Sequence, residues 1–431
     1  MKIGKTAIAT VISSLLSPQI FAQDDALSDI EKIEVISYKQ AYRGNVPVKE
    51  LPQAVSVISA QELDAMGISN FQTALSLDSS LSRQNNFGGL WESFAIRGFS
   101  GDENLPSAYL INGFSAGRGF SGLRDTSNIE SIEVLKGPAS ALYGRGEPGG
   151  TVNIITKKPQ FEQQGYLKLS AGEYAHQRLE GDYTSGITDD VAFRINGSYE
   201  DSESFRDTIE SKKTAITPSI FVKLGDDTSL TYEFEYVDQE VPFDRGIPVL
   251  PGVNVSPETF LGEPSDGPME VEAMGHQLTL QHQINADWFL SLGAGYRDSS
   301  LEGYSSEIEL SPGRQLLYTD GETVNRQRRY RDYDAKDASL RVELNGSFDA
   351  LGTKHNVLIG ADGYDYELHS IQERWRTAWG SGDTTFSVNA YKPVYGQTAP
   401  ETSPTQDNLE EQHAFGIYLQ DQMALSEKLT C

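Results

Sequence analysis

The chain has 431 residues and a formal net charge of −27, a sign that argues against nucleic acid, whose phosphates call for Lys and Arg. Its 40 glycines and 20 tyrosines suit a β-rich chain with aromatic girdles. A mean hydropathy of −0.42 is compatible with a membrane barrel, because only alternate residues of each strand face lipid.

The N-terminus reads as a secretory signal over residues 1–22. Lys2 and Lys5 form the positive region, Thr6 to Leu16 the apolar core, and Ile20-Phe21-Ala22 a cleavage site before Gln23. That core is shorter than the roughly 20 residues of a spanning helix, and no later segment reaches that length without charge. A helical membrane protein is therefore excluded. Cys431, the only cysteine, is the last residue, so no internal disulfide forms; the expectation is that it has no role.

Residues 23–50 read as a flexible polar tail. Within it EKIEVISY (31–38) carries the β-branched Ile33, Val35 and Ile36, either an edge strand or a docking peptide for the sheet edge of a partner. Residues 51–159 read as a small α/β domain, long enough to bury a core of its own. QAVSVIS (53–59) alternates as a strand. Ala60 to Met66 follows as a helix, with Ser59 as N-cap and Glu62 completing a capping box. Phe71 to Leu77 is a second helical patch, and the Asn-Gly of YLINGF (109–114) marks a hairpin. Ala139 to Tyr143 suits a short helical turn.

The glycine cluster Gly144-Arg145-Gly146-Glu147-Pro148-Gly149 satisfies G-x-G-x-x-G. A dinucleotide site needs a helix after that loop. Here β-branched residues Val152, Ile154 and Ile155 follow instead, so the expectation is a tight reversal that needs positive φ.

Residues 160–431 alternate in long runs. Val191 to Glu200, Leu230 to Tyr236, Trp288 to Tyr296 and Leu340 to Asn345 each place apolar residues on one face and charged ones on the other. The runs are about ten residues or longer, which matches the length of a membrane-crossing strand. About ten strands are expected by this alternation test. Gly225-Asp226-Asp227 and Gly352-Thr353 read as tight turns, and 239–273, 300–335 and 367–411 as long loops. The six histidines show no metal-ligand spacing. His276 and His282 share a strand face and are expected to point into the lumen as polar residues. No Ser-His-acid grouping suggests an enzyme.

Several strings together resemble the TonB-dependent outer-membrane receptors, and within them the ferric-siderophore receptors. They are EVIS (34–37), LPQAVSVIS (51–59), FAIRGFS (94–100), YLINGF (109–114) and IEVLKGPASALYGRGEPGGTVNIITKKP (132–159). SESFRD (202–207), VPFDRGIP (241–248) and FGIYLQDQMALSEKLT (415–430) extend the likeness into the strands. The resemblance implies a small α/β plug domain followed by an antiparallel transmembrane β-barrel. It implies a protein that is not an enzyme and has no cofactor. A ferric siderophore would be the transported ligand, TonB the energy-supplying partner and outer-membrane lipid the surroundings.

The resemblance also implies site residues. Ile33, Glu34, Val35, Ile36 and Ser37 would form the TonB box. The plug apex, 83–91 and 114–121, would offer Arg83, Phe87, Trp91, Arg118 and Phe120 to the chelate, aromatic faces and cations suiting a bulky anionic ligand. The alternative for each is packing within the plug loops. Arg97 and Lys136 would pair with barrel carboxylates, or else within the plug. Such barrels have about 22 strands, and residues 160–431 would leave each only roughly 12 residues. The sequence therefore reads as the N-terminal part of such a receptor. Two further readings are a receptor for another nutrient (a corrinoid, haem or other metal chelate) and the non-functional product of an interrupted gene. A signalling receptor is weaker, because only about ten mature residues precede Ile33, too few for the extra small domain that such receptors carry.

Overall fold

The computed structural model describes residues 54–85, 87–100, 107–116, 120–137, 148–247, 249, 254–311, 314, 321–350, 352–426 and 429–430. The proposed signal, the tail and Ile33–Ser37 lie outside these, as do Arg118 and the turn at Ala139–Tyr143. Among the described residues no helix is long and apolar enough to cross a membrane.

The first part is a small mixed domain. Its elements are β1 (Ala54–Ser59), α1 (Ala60–Ala65), α2 (Phe71–Leu75), β2 (Leu81–Arg83), β3 (Phe94–Ile96), β4 (Phe99–Ser100), β5 (Leu110–Ile111), β6 (Phe114–Ser115), β7 (Ile129–Lys136) and β8 (Gly150–Thr156). One sheet runs β1-β7-β8-β5-β6, with β5 parallel to β8; a second joins β2, β3 and β4. Helix α1 starts where the sequence says, on a capping box between Ser59 and Glu62. Helix α2 starts on Asn70, whose side chain accepts from the Thr73 amide at 2.8 Å. The core packs Leu63, Phe71, Leu75, Ile132, Val134, Val152 and Ile154, all buried.

Of the glycine cluster, Gly144 to Glu147 lie outside the described residues; Pro148 and Gly149 form a turn that leads directly into β8, a strand and not the helix a dinucleotide site needs. Gly150 has φ +151°, and a Cβ added at Gly149 would collide with the Ile96 carbonyl oxygen.

The second part is one antiparallel sheet of eleven strands in sequential order. They are β9 (Gln164–Ala171), β10 (Gln177–Gly186), β11 (Val191–Glu203), β12 (Glu210–Lys223), β13 (Thr228–Val241), β14 (Met269–Asn285), β15 (Trp288–Ile308), β17 (Arg326–Ala350), β18 (Thr353–Trp375), β20 (Ser403–Ser426) and the two-residue β21 (Leu429–Thr430). A separate pair, β16 (Thr323–Val324) with β19 (Val388–Asn389), belongs to the loops. The expected tight turns hold, with Gly225 and Gly352 at φ +88° and +78°.

The long links are shorter than the sequence implied: 242–268, 309–325 and 376–402. Strand pairing runs past the amphipathic segments at this end, because the charged residues there still complete cross-strand hydrogen bonds, as in Glu302↔Asp332 and Asp334↔His369.

Alternation sorts the two faces. Leu167, Leu169, Ile195, Leu278, Leu340, Phe415 and Ile417 are exposed on the outside. Such a band needs an apolar medium. Glu233, Glu235 and Gln239 of β13 point the other way, onto the small domain. His276 departs from expectation. Its neighbour Gln277 turns inward to bond Asn112, so His276 faces outward against Phe234 and the Tyr232 hydroxyl. His282 shares that outer face and bonds Thr228. Among the described residues no His, Cys, Asp and Glu group could hold a metal.

The three long links interlock. Buried Arg326 donates to the Gly262 carbonyl at 2.5 Å, to Glu263 at 3.2 Å, to Gln397 at 2.9 Å and to the Phe386 carbonyl at 3.3 Å. Leu261, Val324, Val388 and Ala390 form a small core beneath it. The Tyr395 hydroxyl donates to the Phe260 carbonyl at 2.7 Å.

Gly149→Ala should destabilise the small domain by about 2 kcal/mol or more, the scale of a forced backbone clash. Limited proteolysis of the membrane-embedded protein would report this as faster cleavage within 54–156.

Candidate functional site

The small domain is tied to the sheet by charge. Arg124 pairs with Glu235, which also binds Arg297. Lys158 pairs with Glu233, and Lys157 lies 3.7 Å from Asp182. In the reverse sense, Asp125 of the small domain takes a two-point bond from Arg178, at 2.7 and 2.9 Å, and has Lys213 at 3.4 Å. Those cations hold the Asp125 carboxyl far below the usual carboxylate range despite its burial.

The Asn-Gly hairpin is the deepest contact. Asn112 and Gly113 have φ +53° and +75°, as a tight two-residue turn requires. The Asn112 amide donates to Gln277 at 2.8 Å and Thr156 at 2.9 Å, and Arg341 donates to the Gly113 carbonyl at 2.8 Å. Beside this turn is a cavity of about 30 Å³ lined by Arg124, Glu233, Glu235, Arg297 and Asp337. It has room for about two waters and ample polar groups to hold them.

Arg97 and Lys136 were expected to pair with barrel carboxylates. Lys136 instead pairs with Asp78 of its own domain at 3.0 Å. Asp78 also accepts from Ser56 and Ser80, so its partners are all local. Those bonds hold the Asp78 carboxyl below its ordinary value. Arg97 sits at φ +51° with its guanidinium beside Gly137, exposed. The pairing role falls to Arg124, Lys157 and Lys158.

At the end with the long links, four of the five apex residues are described. Arg83 bonds back to helix α2, to the Gln72 carbonyl at 3.2 Å and the Thr73 hydroxyl at 2.7 Å. The other three gather into one buried stack. Phe87 lies flat on Trp91 with centroids 4.4 Å apart, Trp91 meets Phe120 edge-on at 5.3 Å, and Phe120 stacks on Tyr333 at 4.5 Å. Phe243 closes the far side, 4.7 Å from Phe87. The aromatics thus form a floor seated against the sheet, joined by Leu90, Val271 and Leu301. Phe87 holds φ +57°, a left-handed conformation that the stack sustains.

Above this floor lies a cluster that sequence reasoning missed. Glu307 of β15 is bound by Arg331 at 2.6 Å and Arg245 at 3.1 Å, with Arg329 at 3.7 Å. Arg331 is buried between Phe87 and Phe243, 5.0 and 4.6 Å from the ring centres. Arg374 of β18 stands directly across from Arg329 of β17. Three guanidiniums therefore share one carboxylate, with a fourth, Arg374, beside them, in a chain of net charge −27. The available signal was Arg-rich strand ends, RQRRYR (326–331) and RWR (374–376), flanking a long link. Beyond them Glu309 is clasped by Arg376 at 2.5 and 2.6 Å, which keeps its carboxyl below the ordinary value.

Under the floor, Glu92 is buried with one oxygen accepting from the Arg124 amide at 2.8 Å and the other without a hydrogen-bond partner among the described residues. Burial pushes its carboxyl up to about 7.

A small domain pinned by ion pairs to a strongly amphipathic antiparallel sheet, with a basic cluster beside it, has the architecture of a plug seated against a membrane β-sheet. Residues 47–151 match the TonB-dependent receptor plug domain, and residues 215–431 the TonB-dependent receptor-like β-barrel. The chain belongs to the TonB-dependent receptor family, a family of receptors and transporters and not of enzymes. It is 34% identical to the metal-pseudopaline receptor of Pseudomonas aeruginosa, over 99% of this chain and 61% of that protein. The ferrioxamine receptor of Yersinia enterocolitica is 26% identical over 90% of this chain and 55% of that protein. In fold it is similar to the ferric-catecholate import receptor Fiu of Escherichia coli K12. The TM-score is 0.78 at 21% identity, covering 89% of this chain and 56% of the other. The chain thus spans less than two thirds of the length of these relatives.

The raised Glu92 carboxyl fixes a sign. The folded state binds a proton that the unfolded state has released between about pH 4.5 and 7, so Glu92 makes stability fall as pH rises through that window. Asp78 and Asp125, with lowered values, act only below it, losing their contribution in acid. Urea unfolding of the small domain should show a higher midpoint at pH 5 than at pH 8, and Glu92→Gln should flatten that difference.

Proposed function

We propose that the chain is part of an outer-membrane receptor that takes up a ferric siderophore with energy supplied through TonB. The observation that carries this reading is the chamber formed by Arg245, Arg329, Arg331 and Arg374 over the Phe87–Trp91–Phe120 floor. A metal chelate rich in oxygen donors is bulky, flat-faced and often anionic, and aromatic rings beside guanidiniums suit it. The plug supports a receptor over a passive pore, since it fills the lumen where a porin leaves water. The exposed apolar band supports residence in lipid, and the secretory signal at residues 1–22 supports export to the outer membrane.

The site assignments follow. Phe87, Trp91 and Phe120 shape the floor, Arg83 and Arg118 supply cations for the chelate, and Arg97 and Lys136 help to hold the plug. Ile33, Glu34, Val35, Ile36 and Ser37 serve as the TonB box, pairing as a strand with the sheet edge of the partner. The outer membrane sustains no gradient of its own, so traction on this segment is the means of opening the plug.

A second reading is uptake of a metal chelate other than a ferric one. It is favoured by the 34% identity to a receptor named for metal-pseudopaline. Competition of labelled iron uptake by zinc, nickel or cobalt chelates separates the two.

Val35→Pro in the full-length receptor should abolish uptake of iron chelate and leave binding intact, because Pro deletes a ladder donor. Normal uptake by that variant refutes the coupling role. Trp91→Ala with Arg118→Ala should weaken chelate binding by about tenfold or more, the scale of a lost buried anchor; an unchanged titration removes both from the site.

A further inference from the structure

Within the chamber the four guanidiniums are not equivalent. Arg331 is buried, bonded to Glu307 and to the Ser305 hydroxyl at 2.6 Å, and held between two rings. It is part of the wall. Arg245 also spends its charge on Glu307 at 3.1 Å, while its guanidinium covers Phe87 at 5.0 Å. That leaves Arg329 and Arg374. Arg329 reaches Glu307 only at 3.7 Å, outside hydrogen-bond distance, and its Nε has no hydrogen-bond partner. Arg374 has no carboxylate in ion-pair reach among the described residues, and its Nε is likewise unbonded. The two stand side by side on neighbouring strands, and each feels the repulsion of further arginines.

Two guanidiniums held together cost electrostatic energy, the more so where water is restricted. The next pair on the same face, two residues further into the sheet, sets Arg331 opposite the neutral Gln372, so a facing pair of arginines is not a repeating feature of these strands. Beside the pair lie uncharged hydrogen-bonding groups, Gln372 and Gln406, 3.2 Å apart, and Ser370, which accepts from Gln406 at 2.9 Å. The patch therefore offers forked donors and amides to something negative and planar.

Resting on the receptor reading above, we propose that Arg329 and Arg374 form a two-arginine clamp for carboxylate groups of the chelate, and that this clamp makes the receptor select polycarboxylate metal chelates over neutral or cationic ones. The fork of a guanidinium matches a carboxylate in two parallel hydrogen bonds, so two adjacent forks read two carboxylates at a fixed spacing. A cationic chelate meets net positive charge at the same place and is repelled. Glu307 supplies the remaining discrimination: it keeps Arg331 and Arg245 engaged, so that only the pair is offered to the ligand.

The test uses outer-membrane vesicles carrying the full-length receptor, with ferric citrate and ferric nitrilotriacetate as polycarboxylate probes and ferrioxamine B as a cationic one. Quenching of tryptophan fluorescence reports occupancy, Trp91 lying in the chamber floor. The expected result is saturable binding of a polycarboxylate probe that weakens with salt, with ferrioxamine B at least tenfold weaker. Arg329→Gln with Arg374→Gln should reduce polycarboxylate binding more than about tenfold and flatten its salt dependence. Arg329→Lys with Arg374→Lys should recover part of the affinity while losing discrimination between the two carboxylate probes, because an ammonium carries charge without the fork. Heat-modifiable mobility of each variant checks that the barrel is folded. Preference for ferrioxamine B, or binding of the polycarboxylates unaffected by the Gln variant, overturns the clamp and leaves the receptor reading standing. Failure of every probe to bind the wild-type receptor overturns both.

Discussion

The structure depends on one constraint: a sheet that presents apolar residues to lipid must present its alternate residues to something else. In β13 those alternates are Glu233, Glu235 and Gln239, and in β17 they are Arg329, Arg331, Asp337, Arg341 and Glu343. Unpaired charges facing a confined lumen would be costly. The plug answers them from two sides, with Arg124 and Lys158 for the carboxylates and Asp125 for Arg178 and Lys213. The plug is therefore electrostatically part of the wall. The small cavity beside Asn112 is lined by polar and charged groups, unlike the apolar core within the plug itself. Polar contacts in such a seam exchange partners with water more readily than a packed core comes apart.

The chamber at the long-link end follows the same logic with the sign unbalanced. Lower in the lumen, Glu233, Glu235 and Asp182 each have a cation in reach. At the level of Phe87, three guanidiniums face one carboxylate and Arg374 stands beside them. An excess of one sign, set beside aromatic rings, raises the local concentration of ions of the opposite sign. The floor is also where plug and sheet meet, since Phe120 stacks on Tyr333 and Arg331 is held between Phe87 and Phe243. Whatever binds there touches the seam directly.

Much of the fold was legible because it rests on local rules. Ser59 and Glu62 start a helix by their own side chains, Asn112-Gly113 can only be a tight turn, and two-residue alternation writes the strands. What failed was what depends on neighbours. The face that His276 adopts is set by whether Gln277 finds Asn112 across the lumen, and alternation alone does not say which face is inside. For Lys136 the sequence left a barrel carboxylate and a partner within the plug both open, and the choice of Asp78 depends on how β1 and β7 pack. The site was half legible. Phe87 and Trp91 come from one proposed apex loop and Phe120 from another, and the structure packs the three together. Arg245, Arg329, Arg331 and Arg374 come from three separate chain segments, and only strand register brings them to one level. Strand ends were read as loop, so their arginines were not placed in the lumen.

The interlocked long links bear on how such a molecule can vary. Arg326 ties residues 262–263 to 386 and 397 through four hydrogen bonds, and Leu261, Val324, Val388 and Ala390 share one small core. Surface loops ordinarily accept insertions and substitutions one at a time. These three do not have that freedom: a change in one alters the seat of the other two. Divergence at this rim must therefore proceed in correlated sets, with all three links exchanged or conserved as a block, and a single loop grafted from a relative would arrive without the partners that shape it.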